Sequence, residues 1–171
     1  MARSKRVKGG DDFSALLNNL AGDQAVVVMK AAVYAGIGAL ADALKSEVGA
    51  LPVQSGYMPK NKKTGEIKKR NVVGTNDIEA LKNGIGISRI QSDKDKADAV
   101  VSFNGYNGRP TKKYPKGVPL ELIARSIESG SSVRQKNPFV RRTFNKSKTS
   151  SEQKAIDAGQ KKLDEIIKKR R

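Results

Sequence analysis

Few residues of the sequence could carry enzyme chemistry, because its 171 residues include no cysteine and no histidine. Disulfides, thiolate zinc sites, cysteine nucleophiles and histidine acid–base catalysis are therefore excluded. Asp93, Asp95 and Asp98 alternate with lysines and lack the closing glutamate of a calcium loop. Glu121 and Glu128 lie two turns apart on one predicted helix, which is typical of surface charge. The sequence therefore predicts no catalytic residue, no cofactor and no metal site.

Cations are the abundant chemical groups. The chain has 34 lysines and arginines against 17 acidic residues, a net charge of +17. The cations concentrate in segments 1–10, 60–70, 109–116 and 134–148, whereas residues 22–51 hold three acidic residues and two lysines. Such a surface either keeps a protein soluble or works beside a polyanion, and we favour nucleic acid as the neighbour. No helix-turn-helix, zinc-finger or aromatic RNA-binding signature accompanies the charge.

A long N-terminal helix is the strongest structural signal. Asp23 is its predicted cap and Gly49 its approximate end. Its apolar residues recur at steps of three and four, as on one helix face, at Val26, Met29, Val33, Ile37, Leu40, Leu44, Val48 and Leu51. A second line of small residues permits close approach of another backbone, either a sheet of the same chain or another subunit: Ala32, Ala35, Gly36, Ala39 and Ala43. We expect a soluble, largely buried helix and no membrane span.

Shorter elements follow this helix. A long mobile basic loop or a flexible hairpin is expected at 57–75, and a short helical turn at 77–83. Residues 85–90 and 99–103 alternate as strands and predict an antiparallel hairpin with a polar connection. An exposed loop at 105–118 contains two tyrosines, which we expect to anchor the loop in preference to stacking on bases.

Three further helices are predicted. One begins at Pro119 and ends at Gly130, and the last begins at Asn137-Pro138, a cap and first-turn pair. This last helix is expected to bend or restart at 150–152. A short helix is also expected at 11–20. Together the elements predict an α+β fold, in which the long helix packs on a small antiparallel sheet and a helix closes the chain. We expect one domain over 1–171, with a basic arm at 1–10 and the mobile loop at 57–75.

Four short segments occur in a characteristic order: 50–56 (Ala-Leu-Pro-Val-Gln-Ser-Gly), 81–85 (Leu-Lys-Asn-Gly-Ile), 123–132 (Ile-Ala-Arg-Ser-Ile-Glu-Ser-Gly-Ser-Ser) and 137–144 (Asn-Pro-Phe-Val-Arg-Arg-Thr-Phe). In this order the chain resembles the neck or tail-completion proteins of long-tailed bacteriophages, also labelled head–tail joining proteins or minor tail components. The resemblance covers about 120 residues. It implies an α+β structural protein of the virion, assembled in the bacterial host cytoplasm, that forms a ring of six or twelve copies at the head–tail junction.

The resemblance also implies partners. They are further copies of the chain, the adjacent head-completion or connector protein, the tail-terminator or tail-tube protein, and genomic DNA passing through the lumen; no membrane is implied. The residues expected to face DNA or to dock a partner are Lys60, Lys62, Lys63, Lys68, Lys69, Arg70, Arg109, Lys112, Lys113 and Arg134. The residues expected at subunit contacts are Ile127, Pro138, Phe139, Arg141 and Phe144. Two alternatives stay open: a basic, non-specific nucleic-acid-binding protein and a small ribosome-associated or RNA-modifying factor.

Overall fold

The first described helix, α1, spans Gly22–Gly49, so it ends where the sequence predicts, whereas Asp23 lies inside the helix and not at the predicted cap position. Asp23 lies in its first turn, where a carboxylate is stabilised by the exposed amides of a helix N-terminus. Pro52 follows shortly after its end, because proline disrupts a continuing helix.

The computed structural model describes residues 22–57, 65, 69–93, 96–131 and 134–169. Three predicted features lie outside these residues. They are the arm at 1–10, the short helix at 11–20, and the lysines Lys60, Lys62, Lys63 and Lys68.

The described residues form two compact units, and the single domain over 1–171 stays a prediction. The helix-pair unit consists of described residues in 22–43, 87–101 and 144–169, and the mixed unit of those in 44–86 and 102–143. The two long helices, α1 and the C-terminal helix, each contribute residues to both units.

In the helix-pair unit, α1 packs against the C-terminal helix through its small residues. Val28 and Leu163 belong to one buried cluster. A Cβ atom placed on Gly36 would lie 3.0 Å from the Ala155 Cβ and 3.1 Å from the Ser151 carbonyl oxygen. Because the contacts move back along the C-terminal helix as they advance along α1, the two helices are antiparallel. The small-residue line therefore contacts a helix of the same chain and not the expected sheet.

The larger apolar residues of α1 are less covered than the sequence predicts. Val26, Met29, Val33, Ile37 and Leu40 are only half-buried. By length and composition α1 could cross a membrane, a property that core helices share, and 28% of its most apolar window is buried. The prediction of a largely buried helix is wrong for this part of α1, because the C-terminal helix covers the small residues and leaves the larger side chains partly open.

The C-terminal helix is one uninterrupted element from Phe139 to Lys169, so the predicted restart at 150–152 is wrong. Ser150 and Ser151 have a lower helix propensity than alanine. The packing of Gly36 against Ser151 and Ala155 stabilises the helix at this point. Near the helix end, the Lys162 Nζ donates to the Glu165 Oε2 at 2.9 Å, and this bond lowers the pKa of the exposed Glu165 carboxyl.

Two short strands, β3 (Ile85–Ile87) and β6 (Val101–Phe103), pair as the sequence predicts. The Asn104 amide donates to the Gly84 carbonyl at one end of the pair. The Ser88 amide donates to the Val100 carbonyl at the other end. Residue numbers therefore rise along β3 where they fall along β6, so the two strands are antiparallel.

The predicted polar connection between these strands is itself a hairpin. Strands β4 (Gln91–Ser92) and β5 (Ala97–Asp98) are antiparallel, with Gln91 opposite Asp98. The Asp93 amide donates to the Lys96 carbonyl at 2.9 Å and closes the turn.

The mixed unit begins with the antiparallel strands β1 (Gln54–Tyr57) and β2 (Lys69–Val73), so the hairpin alternative for the basic segment is confirmed at its two ends. Two helices, α2 (Thr75–Gly84) and α3 (Leu120–Ser129), pack against each other and match the predicted positions. The C-terminal helix, Phe139–Lys169, is α4. The mixed unit encloses a core that is mostly aliphatic and consists of Leu44, Val48, Leu51, Val73, Leu81, Ile85, Leu120, Ile123, Ala124, Ile127 and Phe139.

The end of α2 requires a glycine because the chain approaches itself closely there. A Cβ atom on Gly84 would overlap the Leu120 Cδ1 and lie 2.6 Å from the Asn104 carbonyl oxygen. The same Gly84 carbonyl accepts the Asn104 amide at 2.7 Å. Gly84 therefore joins α2 to the start of the loop that follows β6.

The packing of α1 on α4 predicts different results for two neighbouring glycines. Gly38→Ala should raise the free energy of unfolding by about 0.5–1 kcal/mol, because alanine is the better helix former and nothing lies within 4 Å of its added Cβ. Gly36→Ala should be at least about 1 kcal/mol less stable than Gly38→Ala, because its Cβ meets Ala155 and a carbonyl oxygen. Urea denaturation followed by circular dichroism measures both, and equal stabilisation would contradict the close contact.

Candidate functional site

A surface loop of residues 104–119, the basic loop, brings several cations together in one place. It contains the predicted contact residues Arg109, Lys112 and Lys113, together with Lys116, and no acidic residue. All four side chains are exposed. Such cations contact phosphate oxygens without distinguishing bases. The basic loop therefore suits contact with a polyanion of any sequence.

Asn107 closes the base of the basic loop. Its side-chain oxygen accepts the amides of Arg109 at 3.1 Å and Val118 at 2.9 Å. Its own backbone amide donates to the Val118 carbonyl at 3.1 Å. The Asn107 Nδ2 donates to the Asp77 Oδ1 at 3.1 Å, which ties the loop to α2. The Asn107 side chain is thus used to hold the loop in place.

Asp77 is the residue on which the loop rests. Its side chain is 3% exposed, and its Oδ2 accepts the Gly74 amide at the start of α2 at 3.2 Å. The Arg109 Nη1 lies 3.7 Å from the same oxygen. One buried carboxylate therefore caps α2, holds Asn107 and partly neutralises Arg109. Sequence reasoning missed this role, although the spacing of an acid three residues into a helix is a capping signal.

The tip of the basic loop forms a shallow cavity of about 390 Å³ between tyrosines and lysines. Tyr114 is half-buried, exchanges backbone hydrogen bonds with Thr111, and has the Lys113 Nζ 5.4 Å from its ring centroid. Tyr114 thus anchors the tip. Tyr106 is 52% exposed at the cavity wall and presents a ring of the kind that stacks on bases.

Three other predicted cations lie outside the basic loop. Lys69 and Arg70 lie on β2, opposite Tyr57 and Gly56. Arg134 is half-buried; its Nε donates to the Val72 carbonyl at 2.8 Å and its Nη1 to the Ser126 Oγ. Arg134 therefore joins β2 to α3, a structural role that the sequence does not predict, and its expected contact with DNA or a partner stays a prediction.

Two of the predicted subunit-contact residues belong to the core. Ile127 is 1% exposed and Phe139 is 0% exposed. The Phe139 ring packs edge-on against Phe103, with centroids 6.1 Å apart. These side chains cannot contact a partner from inside the mixed unit, so the assignment is corrected: their apolar character serves folding.

The start of α4 is held by a carboxylate from another helix. The Glu128 carboxylate accepts the Val140 amide at 2.8 Å and the Arg141 amide at 3.2 Å. Asn137, the predicted cap, instead accepts a bond from the Arg142 guanidinium at 3.0 Å. Glu128 was interpreted as surface charge, and nothing local in the sequence indicates that α3 brings it to the first amides of α4.

An ion pair also fixes this helix start. The Arg142 guanidinium donates to the Glu47 Oε1 through its Nε at 2.8 Å and its Nη2 at 2.7 Å. The other predicted contact residues have open surface: Pro138 is half-buried, Arg141 is exposed and Phe144 is 49% exposed.

Among the described residues, no group of three or more acidic side chains is placed to hold a metal ion. The chemistry that the arrangement offers is electrostatic contact through the lysines of the basic loop. Comparisons with protein-family models, curated proteins and solved structures give no match.

The bonds of Asp77 predict that its removal loosens the basic loop. Asp77→Ala should lower the free energy of unfolding by about 2 kcal/mol, because buried donors of Gly74 and Asn107 lose their acceptor. Urea denaturation measures this decrease, and faster hydrogen exchange at the Val118 amide should accompany it. Glu79→Ala, at an exposed position of the same helix, is the control and should change stability by less than about 0.5 kcal/mol. Equal effects of the two variants would contradict this role.

Proposed function

We propose that the chain is a structural subunit of the head–tail junction of a long-tailed bacteriophage. One copy among several forms a closed ring that joins the capsid connector to the tail and surrounds the DNA path. Its partners are the adjacent head-completion or connector protein, the tail-terminator or tail-tube protein, and the genome in the lumen. The subunit is assembled in the bacterial host cytoplasm, stays in the virion and catalyses no reaction.

The observation that carries this proposal is the contact between two of the segments on which the resemblance rests. Segment 123–132 supplies Glu128, and segment 137–144 supplies the amides of Val140 and Arg141 that this carboxylate binds. Ile127 and Phe139 from the same segments share the core of the mixed unit. Segments that resemble a family in their order and also build one structural element are better support than short motifs scattered over the surface.

The charge of the chain is consistent with a place beside the genome. Lys112, Lys113 and Lys116 extend from a loop whose base is held by Asp77 and Asn107. Flexible lysines on a fixed loop neutralise phosphate without holding one register, which suits DNA that must slide past. Docking to an acidic neighbouring ring would use the same groups.

A nonsense mutation in the gene for this chain, in the phage genome that encodes it, tests the proposal. Filled heads and separate tails should accumulate, because the junction between them is incomplete. Electron microscopy of the lysate measures this, and wild-type chain supplied from a plasmid should restore joined particles. Tailed, infectious particles that contain none of the chain would refute the proposal.

The acid-free basic loop favours a second candidate, non-specific nucleic-acid binding by the free protein. In that case the Lys112→Gln, Lys113→Gln, Lys116→Gln triple variant should bind duplex DNA more weakly. The slope of log K against log salt should become shallower by about 0.9 for each phosphate that the variant no longer neutralises. Fluorescence anisotropy over a salt series measures the slope.

The control for this experiment neutralises three exposed lysines of α4, Lys154, Lys161 and Lys168, and should change the slope less. Both triple variants remove the same total charge, so a difference between them reports the position of the lysines. Equal slopes for the two triple variants would show that the basic loop is not the binding surface.

A further inference from the structure

An apolar groove of about 330 Å³ lies in the helix-pair unit. Its floor is the close contact of Gly36 with Ala155, and one wall is formed by Val33, Ile37 and Leu40 of α1. Ala97 and Ala99 of the β4–β5 hairpin, together with Phe144 and the following turns of α4, complete it.

The described residues cover the groove incompletely. Phe144 is 49% exposed, and the three α1 residues of the wall are only half-buried. Two further apolar side chains of the same unit are also exposed, Tyr34 at 66% and Val100 at 60%. The groove and these side chains give the unit open apolar surface, which a contact with another protein would bury.

The charge around the groove selects its occupant. The charged residues that line it are Lys148, Glu152 and Asp98, one cation against two carboxylates. The chain as a whole carries +17. A net acidic rim repels a nucleic acid and attracts a cationic protein. A second copy of this cationic chain can therefore approach the groove with less repulsion than it would meet at the lysine-rich segments.

A lipid surface fits the groove less well. The Lys148 Nζ and Glu152 Oε1 lie 4.0 Å apart at the edge of the apolar surface. Burying these charges in a bilayer has a large free-energy cost, whereas a polar protein rim accommodates them.

We propose that this groove is the docking site for a second copy of the chain, with the Phe144 ring buried at the centre of the contact. The inference rests on the proposed function, because a ring needs subunit contacts, and it deepens that function by naming one of the two surfaces. In a closed ring the contact is heterologous, so the groove receives a different patch of the neighbouring copy.

Charge placement tests the groove with a matched pair of variants. Phe144→Asp introduces a carboxylate into the groove, whereas Asn145→Asp introduces the same charge at the adjacent exposed position outside it. Sedimentation velocity should show that the wild type self-associates. The dissociation constant should rise about tenfold or more for Phe144→Asp, as for an aromatic residue central to an interface, and about twofold or less for Asn145→Asp.

A cross-linking experiment identifies the occupant directly and does not depend on Phe144→Asp folding. The chain has no cysteine, so Ile37→Cys carries a single benzophenone maleimide. Light- and heavy-nitrogen chains are mixed and allowed to exchange, and the mixture is irradiated. Mass spectrometry should find cross-links between light and heavy chains. Asp164→Cys, exposed on α4 and outside the groove, is the control and should give few.

Several results would overturn the inference. The first is a wild type that is monomeric at every concentration, and the second is equal association of Phe144→Asp and wild type. The third is a set of cross-links that lie only within one chain. The fourth is found by repeating the irradiation with phosphatidylcholine vesicles present, and it is cross-links to lipid only. Association through another surface would overturn the groove contact and leave the head–tail function standing. Association through the groove, combined with normal virions that lack the chain, would refute that function and leave the groove contact in place.

Discussion

Carboxylates at a few contact points hold the mixed unit together, and the rest of that unit depends on them. Asp77 binds the start of α2 and the base of the basic loop, Glu128 binds the first amides of α4, and Glu47 binds Arg142. The chain has twice as many cations as acidic residues. Each of these three carboxylates stabilises the fold by accepting hydrogen bonds from donors that folding removes from water. Three acidic residues therefore position the elements, and the lysines of the basic loop stay on the surface.

This distribution separates two kinds of surface. The basic loop is exposed, lacks acidic residues and is anchored at its base, so its lysines can contact phosphate. The groove of the helix-pair unit is apolar and has a net acidic rim. The proposed contact with a second copy and the proposed contact with DNA use these different surfaces, because one surface cannot attract a cation and a polyanion equally.

The two proposals depend on different parts of the chain. The head–tail function rests on the segments 123–132 and 137–144, which meet through Glu128 in the mixed unit. The docking proposal rests on the open groove and Phe144 in the helix-pair unit. Phe139 and Phe144 illustrate the difference, since they are five residues apart on α4 and one is enclosed in a core while the other is half exposed.

The sequence by itself determined the elements that local interactions control. The bounds of α1, α2 and α3, the pairing of β3 with β6, and the α+β class follow from apolar periodicity, glycine and proline positions and capping residues. The exclusion of cysteine and histidine chemistry needs only composition. Only the tertiary structure decided which face of each element is covered. Periodicity identifies an apolar face but not the helix that packs against it, so α4 lies on the small residues of α1 and leaves Ile37 and Leu40 half-buried. Arg134, Glu128 and Phe139 have ordinary surface or contact signals in sequence, and their roles come from partners distant along the chain. Contacts of this kind depend on how the whole chain packs, because the free energy that selects them is that of burying and pairing groups across different elements.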